Sequence, residues 1–293
     1  MITERRKPLI ADLAIVLITF IWGTTFTVVK GALTDIEPFA FLFLRFGLAT
    51  LILLPVIWRK HILHSLPWKA GILAGFFLFI GFMAQTIGLQ YTTASKSGFI
   101  TGLSVVLVPI FVAVFEKKSL SRNAIIAVVL AVIGLYLLTN PRAQSFNNGD
   151  AWTLLCALGF ALHIVTLDYY TWKVNYLGLF FIQIAVVTLF SGIVLPFENS
   201  TLILFQEGLT VNVIIALLIT AVFATAVAFF LQNWAQRITT ATRTALILTL
   251  EPVFAALTAY VILAETLGFL GILGGICILA AIALAELKTV EQA

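Results

Sequence analysis

Ten long apolar segments, separated by short polar connections, run through almost the whole chain. Each segment is close to the ~20 residues that an α-helix needs to cross the hydrocarbon core of a bilayer. Their apolar residues are continuous and do not alternate with polar ones, which favours helices over strands. The segments are 9–29, 38–58, 68–90, 95–115, 121–139, 150–170, 175–197, 210–234, 241–264 and 267–287. We therefore predict an all-α integral membrane protein with ten transmembrane helices.

One sequence motif occurs twice and divides the chain into two similar halves. The stretch QYTTASKSGFITGL at 90–103 recurs as RITTATRTALILTL at 237–250, with an offset of 147 residues. Further upstream, the offset is 138 residues. Together the two offsets pair Asp12 with Asp150, Trp22 with Phe160, Thr25 with His163, Arg45 with Gln183, Gln85 with Gln232 and Lys96 with Arg243. Self-similarity on this scale indicates a duplicated unit, so we predict two five-helix domains, 1–141 and 142–293.

The composition also indicates a membrane protein. Of the 293 residues, 61% are hydrophobic and only 10% are charged, whereas soluble domains carry about 25% charged residues. The connections between the apolar segments leave no room for a soluble domain. The first segment lacks a small-residue cleavage site and leads into a second span, so we expect a transmembrane helix and not a signal peptide.

Lysine and arginine residues predict the orientation of the chain, because they are enriched in cytoplasmic loops. With a cytoplasmic N-terminus, thirteen of them fall on the cytoplasmic side and three on the outer side. Each half has an odd number of spans, so the second half must enter the membrane in the opposite direction. The sequence therefore predicts inverted repeats in the cytoplasmic membrane, with both termini in the cytoplasm.

Glu251 is the strongest candidate for a functional residue. It lies about ten residues into the ninth segment, near the midplane, where a charged carboxylate costs at least ~2.5 kcal/mol on insertion scales. It should therefore face a cavity, pair with a cation or be protonated. Three roles remain open: a carrier of protons during transport, a partner for a substrate ammonium, or a protonated group that holds two helices together.

Other polar residues are expected near Glu251. Ser97, Thr101 and Ser104 share one helix face, because they recur at spacings of four and three. We expect a substrate-binding or coupling site formed by Glu251, Ser104, Thr101, Ser97, Thr244, His163, Trp22 and Thr25. For His163, the alternative is a neutral imidazole that is hydrogen-bonded to a backbone carbonyl. We expect gate or vestibule residues at Gln85, Gln232, Tyr91 and Trp234, with the two glutamines at opposite ends of a cavity.

Several further residues are expected to have structural roles. Asp12 and Asp150 each begin an apolar segment and are interpreted as helix caps. Arg45 lies two turns into the second segment, where its side chain can reach the outer face or pair with Asp35 or Glu37. The glycines of the third segment and the small residues Ala94, Gly98 and Gly102 of the fourth are expected to allow close helix packing.

These residues also carry a resemblance to a known family. The motif WGTTF in the first segment, LRF in the second, the run LEPVFAALTAYVILAETL at 250–267 and the tail GGICILAAIAL resemble the EamA family of the drug/metabolite transporter superfamily. The resemblance implies two inverted five-helix repeats around a central cavity, and substrates that include amino acids, other small metabolites and drugs, often exported. One departure is that the first half has Ser104 where the second has Glu251.

The leading functional hypothesis is a secondary transporter that moves a small molecule across the bilayer by alternating access, with protons as a possible coupling ion. The alternative is an uncoupled facilitator or channel. A membrane enzyme is least supported, since the sequence has no HExxH, GxSxG or cysteine cluster. We expect no cofactor, no metal and no nucleic-acid partner, and Cys156 and Cys277 lack the spacing of a metal site. The sequence predicts neither the substrate nor the oligomeric state.

Overall fold

A computed structural model describes residues 6–116, 121–139, 146–198, 208–263 and 268–287 of the chain. The described residues are helical and contain no strand, which confirms the all-α prediction. The helices are α1 (Arg6–Ala32), α2 (Pro38–Arg59), α3 (Trp68–Tyr91), α4 (Ala94–Gly102), α5 (Ser104–Glu116), α6 (Arg122–Thr139), α7 (Asn148–Tyr170), α8 (Tyr176–Val194), α9 (Val211–Ala235), α10 (Ala241–Leu248), α11 (Glu251–Leu263) and α12 (Phe269–Leu287). Short 3₁₀ turns occur at Ile62–Ser65 and Leu195–Phe197.

Seven stretches in the described part of the chain are long and apolar enough to cross a membrane. They include α1, α2, α3, α7, α8 and α9, and the stretch Lys96–Phe115 that spans α4 and α5. Two further apolar helices are shorter, Arg122–Leu137 and Phe269–Leu284. The chain is therefore a multi-pass membrane protein. Several charges used for orientation (Arg5, Lys117, Lys118, Arg142 and Lys288) and the predicted domain boundary at 141/142 lie outside the described residues.

The fourth and ninth predicted segments, 95–115 and 241–264, are each interrupted by a short turn that the sequence did not predict. The fourth segment breaks at Leu103, between α4 and α5. The ninth segment breaks at 249–250, between α10 and α11. Pro252 explains the second break, because it has no amide hydrogen to continue the helix and is tolerated in a first turn. The two breaks occupy equivalent positions in the sequence repeat, since Leu103 corresponds to Leu250.

Helix α3 packs closely on α7 and α8, as its glycines predict. A Cβ on Gly159 of α7 would lie 2.7 Å from the backbone nitrogen of Gly81, and one on Gly149 would lie 2.7 Å from the carbonyl oxygen of Gly88. Gly75 approaches Val186 of α8 in the same way. In lipid, helices associate through such close packing because the hydrophobic effect does not drive them together. Gly98 of α4 differs: a Cβ there would meet nothing within 4 Å, so its predicted packing role is wrong.

Candidate functional site

A cavity of about 60 Å³ lies inside the helix bundle. Its wall combines aromatic rings, small residues and a few polar groups from nine of the helices. The lining residues are Trp22, Thr25, Phe26, Val29, Arg45, Phe82, Gln85, Leu89, Gly98, Thr101, Gly102, Ser104, Phe160, His163, Ile164, Phe229, Gln232, Ala245, Leu248, Thr249, Glu251 and Pro252. A mostly apolar cavity with a few convergent polar groups is typical of a small-molecule site.

Eight of the twelve residues predicted for the site and its gates line this cavity. They are Trp22, Thr25, Gln85, Thr101, Ser104, His163, Gln232 and Glu251. The other four lie elsewhere. Ser97 and Thr244 are fully buried with unpartnered hydroxyl groups, away from the cavity wall. Tyr91 is 62% exposed at the end of α3, and Trp234 packs against an apolar cluster.

Glu251 is the first residue of α11 and lies beside the helix break. It has no hydrogen bond or ion pair with any described residue, and its partly exposed side chain lines the cavity. Its backbone is held against α1, where a Cβ on Gly23 would lie 2.6 Å from the Glu251 carbonyl oxygen. The glycine of the WGTT motif therefore lets α1 approach the start of α11, and the carboxylate is presented to the cavity from a fixed backbone.

Arg45 is a cavity residue, and its predicted place at the outer face is wrong. It is only 4% exposed, and its Nε donates a hydrogen bond to Thr225 Oγ1 at 2.8 Å. Its guanidinium carbon lies 4.7 Å from the centre of the Phe82 ring and 5.2 Å from that of Phe46. Stacking on aromatic faces stabilises this cation, which has no ion pair with a described carboxylate. Asp35, one of its predicted partners, instead accepts a hydrogen bond from Thr210 at 2.7 Å.

The middle of α9 departs from α-helical geometry where it meets Arg45. Residues 220–227 form a π-helical stretch, which is a rare conformation and is frequent at functional sites. The carbonyl oxygen of Ala224 in this stretch accepts a hydrogen bond from Trp22 Nε1 at 2.9 Å, and Arg45 Nη2 lies 3.5 Å from it. The irregular turn thus fixes one aromatic and one cationic wall of the cavity. No pattern in the apolar sequence indicated it.

Two further polar groups of the cavity are bound within the protein. His163 Nε2 lies 2.7 Å from Gln183 Oε1, so this histidine has a structural hydrogen bond, to a side-chain amide and not to the backbone carbonyl that was the alternative. Gln85 Nε2 donates to Thr101 Oγ1 at 3.4 Å. Gln232, in contrast, is 1% exposed and its Oε1 has no partner. These contacts therefore occupy some of the polar groups of the cavity and leave Gln232 Oε1 without a partner.

One ion pair lies at the end of the bundle where α1 begins, which we call the Asp12 end. Arg243 of α10 binds Asp12 of α1 through two contacts, one of them from Nε to Oδ1 at 2.9 Å. Asp12 is the seventh residue of α1 and does not cap it, so that interpretation is wrong. At the same end, Asp168 near the end of α7 accepts a hydrogen bond from the backbone amide of Ala241 at 2.9 Å.

A second ion pair lies at the opposite end, which we call the Lys30 end. Lys96 Nζ of α4 lies 2.5 Å from Asp150 Oδ2 of α7, and Thr92 donates to Asp150 at 2.8 Å. Lys30 donates to the carbonyl oxygens of Leu89 and Thr92 at 2.9 and 2.6 Å. Asp12 and Lys30 are 18 residues apart on α1, so these two residues are separated by about 27 Å along the helix axis.

Asp150 has two roles, one of which was predicted. It belongs to a capping box in which the Asn147 side chain accepts from its amide and its carboxylate accepts from the Asn147 amide. The prediction of a helix cap is thus confirmed here, while the ion pair with Lys96 was not foreseen. Within the described residues, no group of three or more histidines, cysteines or acids could hold a metal ion.

Comparisons with known proteins agree with this architecture. A solved crystal structure superposes on 95% of this chain and 96% of its own with a TM-score of 0.79, at 16% sequence identity, which shows a shared fold. An uncharacterised transporter of Archaeoglobus fulgidus is 40% identical over 285 residues, covering 97% of this chain and 88% of the relative. An S-adenosylmethionine uptake transporter of Rickettsia conorii is 30% identical, but over only 44% of this chain and 45% of its own.

The family comparison covers nearly the whole chain. The model of the EamA-like transporter family matches twice, at residues 9–140 and 147–287. Each match contains one copy of the repeated motif, at 90–103 and at 237–250. The chain belongs to the EamA-like transporter family.

Proposed function

We propose that the protein is a secondary transporter that moves a small metabolite, amino acid or amphipathic drug across the cytoplasmic membrane by alternating access, in the export direction. Its architecture in this proposal is two inverted five-helix repeats, 1–141 and 142–293, with both termini in the cytoplasm. The relative from Rickettsia conorii is named for uptake. Inward flux as the physiological direction would therefore contradict the export part of the proposal.

The observation that carries the proposal is a cavity between two ion pairs, each of which joins the two sequence halves. Asp12 of the first half binds Arg243 of the second, and Lys96 of the first binds Asp150 of the second. A carrier must open its site to one side at a time, and such a cycle needs separable contacts at each end. Charge-assisted hydrogen bonds are suited to this, because they are stronger than neutral ones and one at each end can hold that end closed.

Helix directions support the inverted arrangement. Helix α1 begins at the Asp12 end, whereas its sequence equivalent α7 begins at the Lys30 end, where Asp150 lies. Gln85 lies about one turn from Leu89, which binds Lys30. Gln232 lies one turn from Gln236, which donates to the carbonyl of Ile164 near the end of α7. The two glutamines thus belong to opposite ends of the cavity in this proposal, as gate residues.

Glu251 is the coupling or substrate-contacting residue in this proposal. It is the acid that lines the cavity without a partner among the described residues. Ionisable residues inside membrane-spanning segments are rare and usually functional. Thr101, Ser104, His163, Trp22 and Thr25 line the same cavity. A proton carried by Glu251 and a cationic group bound by Glu251 are the two versions of this role.

The proposal is tested by asking which side reaches the cavity when one ion pair is broken. A reporter cysteine at Gly98, where a side chain meets open space, is introduced into a chain that lacks Cys156 and Cys277. We expect Lys96→Met to increase labelling by an impermeant maleimide from the Lys30 side, and Asp12→Asn to increase it from the other side. The control Thr210→Val removes an exposed hydrogen bond to Asp35 at 2.7 Å and should change neither.

Labelling that rises on the same side in both variants, or in neither, would contradict alternating access.

The uncoupled facilitator is the second candidate, since a bundle whose two ends open together conducts without a cycle. Counterflow in proteoliposomes separates the two candidates. A carrier exchanges labelled solute against an opposing gradient, whereas a facilitator lets it equilibrate.

A further inference from the structure

We propose that a second pocket, at the Asp12 end of the bundle, binds a phosphate group that is carried either by an anionic lipid headgroup or by a free phosphate ion. The pocket lies between the starts of helices α6 and α10. It is separate from the central cavity, and the inference does not depend on the proposed transport cycle.

The pocket has a volume of about 200 Å³ and a wall that is rich in hydrogen-bond donors. Four of its lining residues carry hydroxyl groups, one carries a side-chain amide and one a guanidinium, and none of these described residues is acidic. Donors and a positive charge without an acid suit an anion, because hydrogen bonds to a charged acceptor are the strong ones. The lining residues are Pro8, Ser121, Asn123, Ala124, Ile238, Thr239, Thr240, Thr242, Arg243 and Leu246.

Two helix starts contribute to this wall. Ser121 directly precedes α6, and Thr240 is the cap of α10. The first amides of a helix have no partner within it and give its start a partial positive charge, which attracts anions. Ser121 Oγ and Thr240 Oγ1 accept hydrogen bonds from the amides of Ala124 and Arg243 at 3.2 and 3.3 Å. A hydroxyl group that accepts a bond keeps its own hydrogen, so both can still donate to a ligand.

A buried hydroxyl group in the same wall has no partner. Thr239 is 8% exposed, and its Oγ1 makes no hydrogen bond with a described residue. Such a group is unfavourable, because burial removes its bonds to water and nothing replaces them. An acceptor oxygen of a bound ligand would supply the missing bond.

The sequence repeat shows which kind of acceptor this position binds. Thr239 corresponds to Thr92 at the offset of 147 residues. Thr92 donates to the carboxylate of Asp150 at 2.8 Å, beside the ion pair of that acid with Lys96. In the second half, the hydroxyl group of Thr239 has no bond to the acid of the equivalent ion pair. The position that binds an anionic oxygen in one half is thus left open for an anion from outside the chain in the other.

Two acids near the start of α10 argue against an anion, but both are already bound. Asp12 forms the ion pair with Arg243, and Asp168 accepts from the backbone amide of Ala241 at 2.9 Å. Neither acid lines the pocket. Because Arg243 shares its charge with Asp12, the hydroxyl groups and the helix starts carry most of the recognition.

The surroundings of the pocket suit both sources of phosphate. Ile125 and Ile126 are exposed and directly follow Ala124, which lines the pocket. A lipid headgroup in the pocket can therefore continue into acyl chains along the apolar surface of α6. A free phosphate ion needs only the pocket itself.

The test measures binding to the purified full-length protein in an uncharged detergent. Inorganic phosphate is titrated by calorimetry against chloride at the same ionic strength. Dioctanoyl phosphatidylglycerol is compared with dioctanoylglycerol, which lacks the phosphate, by native mass spectrometry. Binding of the lipid alone identifies a headgroup site, and binding of inorganic phosphate identifies a site for the free ion. Binding of neither phosphate compound would overturn the proposal.

Two variants connect this binding to the pocket without changing the net charge, so the general attraction of anions to a basic protein stays the same. Thr239→Val should weaken binding at least tenfold, which corresponds to about 1.4 kcal/mol. Ser121→Ala, at an exposed position, should weaken it by about threefold or more. The matched control is Thr244→Val, which also removes a buried hydroxyl group without a partner in α10, but away from the pocket.

The control should bind phosphate as the wild type does. Equal affinities in Thr239→Val and Thr244→Val would overturn the proposal, because the binding would then lie elsewhere. Thr239→Val should keep the fold, since it removes a hydroxyl group that has no partner. If it does not fold, Ser121→Ala takes its place in this comparison, and unchanged binding there has the same meaning.

Discussion

Gly98 provides a direct way to fill the cavity without disturbing the helix packing. It lines the cavity, and a Cβ there meets nothing within 4 Å. We expect Gly98→Ala to transport at close to the wild-type rate, because its methyl group enters open space. Gly98→Phe should reduce flux at least tenfold, because a ring of this size occupies much of a cavity of about 60 Å³. Proteoliposome flux measures both, and a thermal melt confirms that each variant is folded.

A Gly98→Phe variant that transports normally would show that solute passes by another route.

Single residues also show how far the sequence alone could identify the site. Glu251 and His163 stood out because ionisable groups are rare in apolar segments. Phe82 and Phe229 did not, because they are two of 25 phenylalanines in the chain and nothing in an apolar run distinguishes a cavity wall from a lipid-facing ring. Arg45 was noticed, but its partner Thr225 lies 180 residues away.

At the level of helices, the contact between α3 and α7 depends on the absence of side chains at its crossing points. Gly159→Ala should destabilise the protein by about 1–3 kcal/mol, since its methyl group would lie 2.7 Å from a backbone atom of Gly81 and the helices must separate. Gly31→Ala is the matched control in α1, where a Cβ meets nothing within 4 Å. Unfolding in mixed detergent measures the two free energies. Equal stabilities would mean that the two helices can shift apart without cost.

The helices themselves were largely predictable, and their interruptions were not. Length and continuous apolarity identified α1, α2, α3, α7, α8 and α9, because crossing a bilayer imposes both properties. The breaks at Leu103 and at 249–250 lie within runs of apolar residues, so the hydropathy of the sequence does not reveal them. Pro252 was a local signal for the second break. The π-helical stretch 220–227 had no signal in the sequence, and it contacts Trp22 and Arg45, which lie on other helices.

For the whole molecule, the two ion pairs should control the mode of transport together. In a carrier, one end closes before the other opens, and opening both ends at once abolishes the cycle. We expect the double variant Asp12→Asn/Lys96→Met to let solute equilibrate across proteoliposome membranes and to lose counterflow. The single variants should retain counterflow at reduced rates. A double variant that still exchanges solute against a gradient would show that other contacts close the ends.

The duplicated organisation was evident from the sequence, because the offsets of 138 and 147 residues persist over many positions. The contacts between the halves were not, since a repeat shows which residues are equivalent and not which ones touch. Asp12, Asp150, Lys96 and Arg243 were each visible as charges near segment ends. Their pairing became clear only when the ends of α1, α4, α7 and α10 were placed in space.

The two ion pairs are formed by equivalent residues of the sequence repeat. In each, the acid comes from the start of the first helix of one half and the base from the fourth segment of the other half. This reciprocity is the rule of an isologous interface, which two copies of a single chain form about a two-fold axis. In the proposed inverted arrangement, two separate half-length chains would make the same two contacts about a two-fold axis. The present chain, divided at 141/142 and produced as two polypeptides, should accordingly reassemble into a transporter.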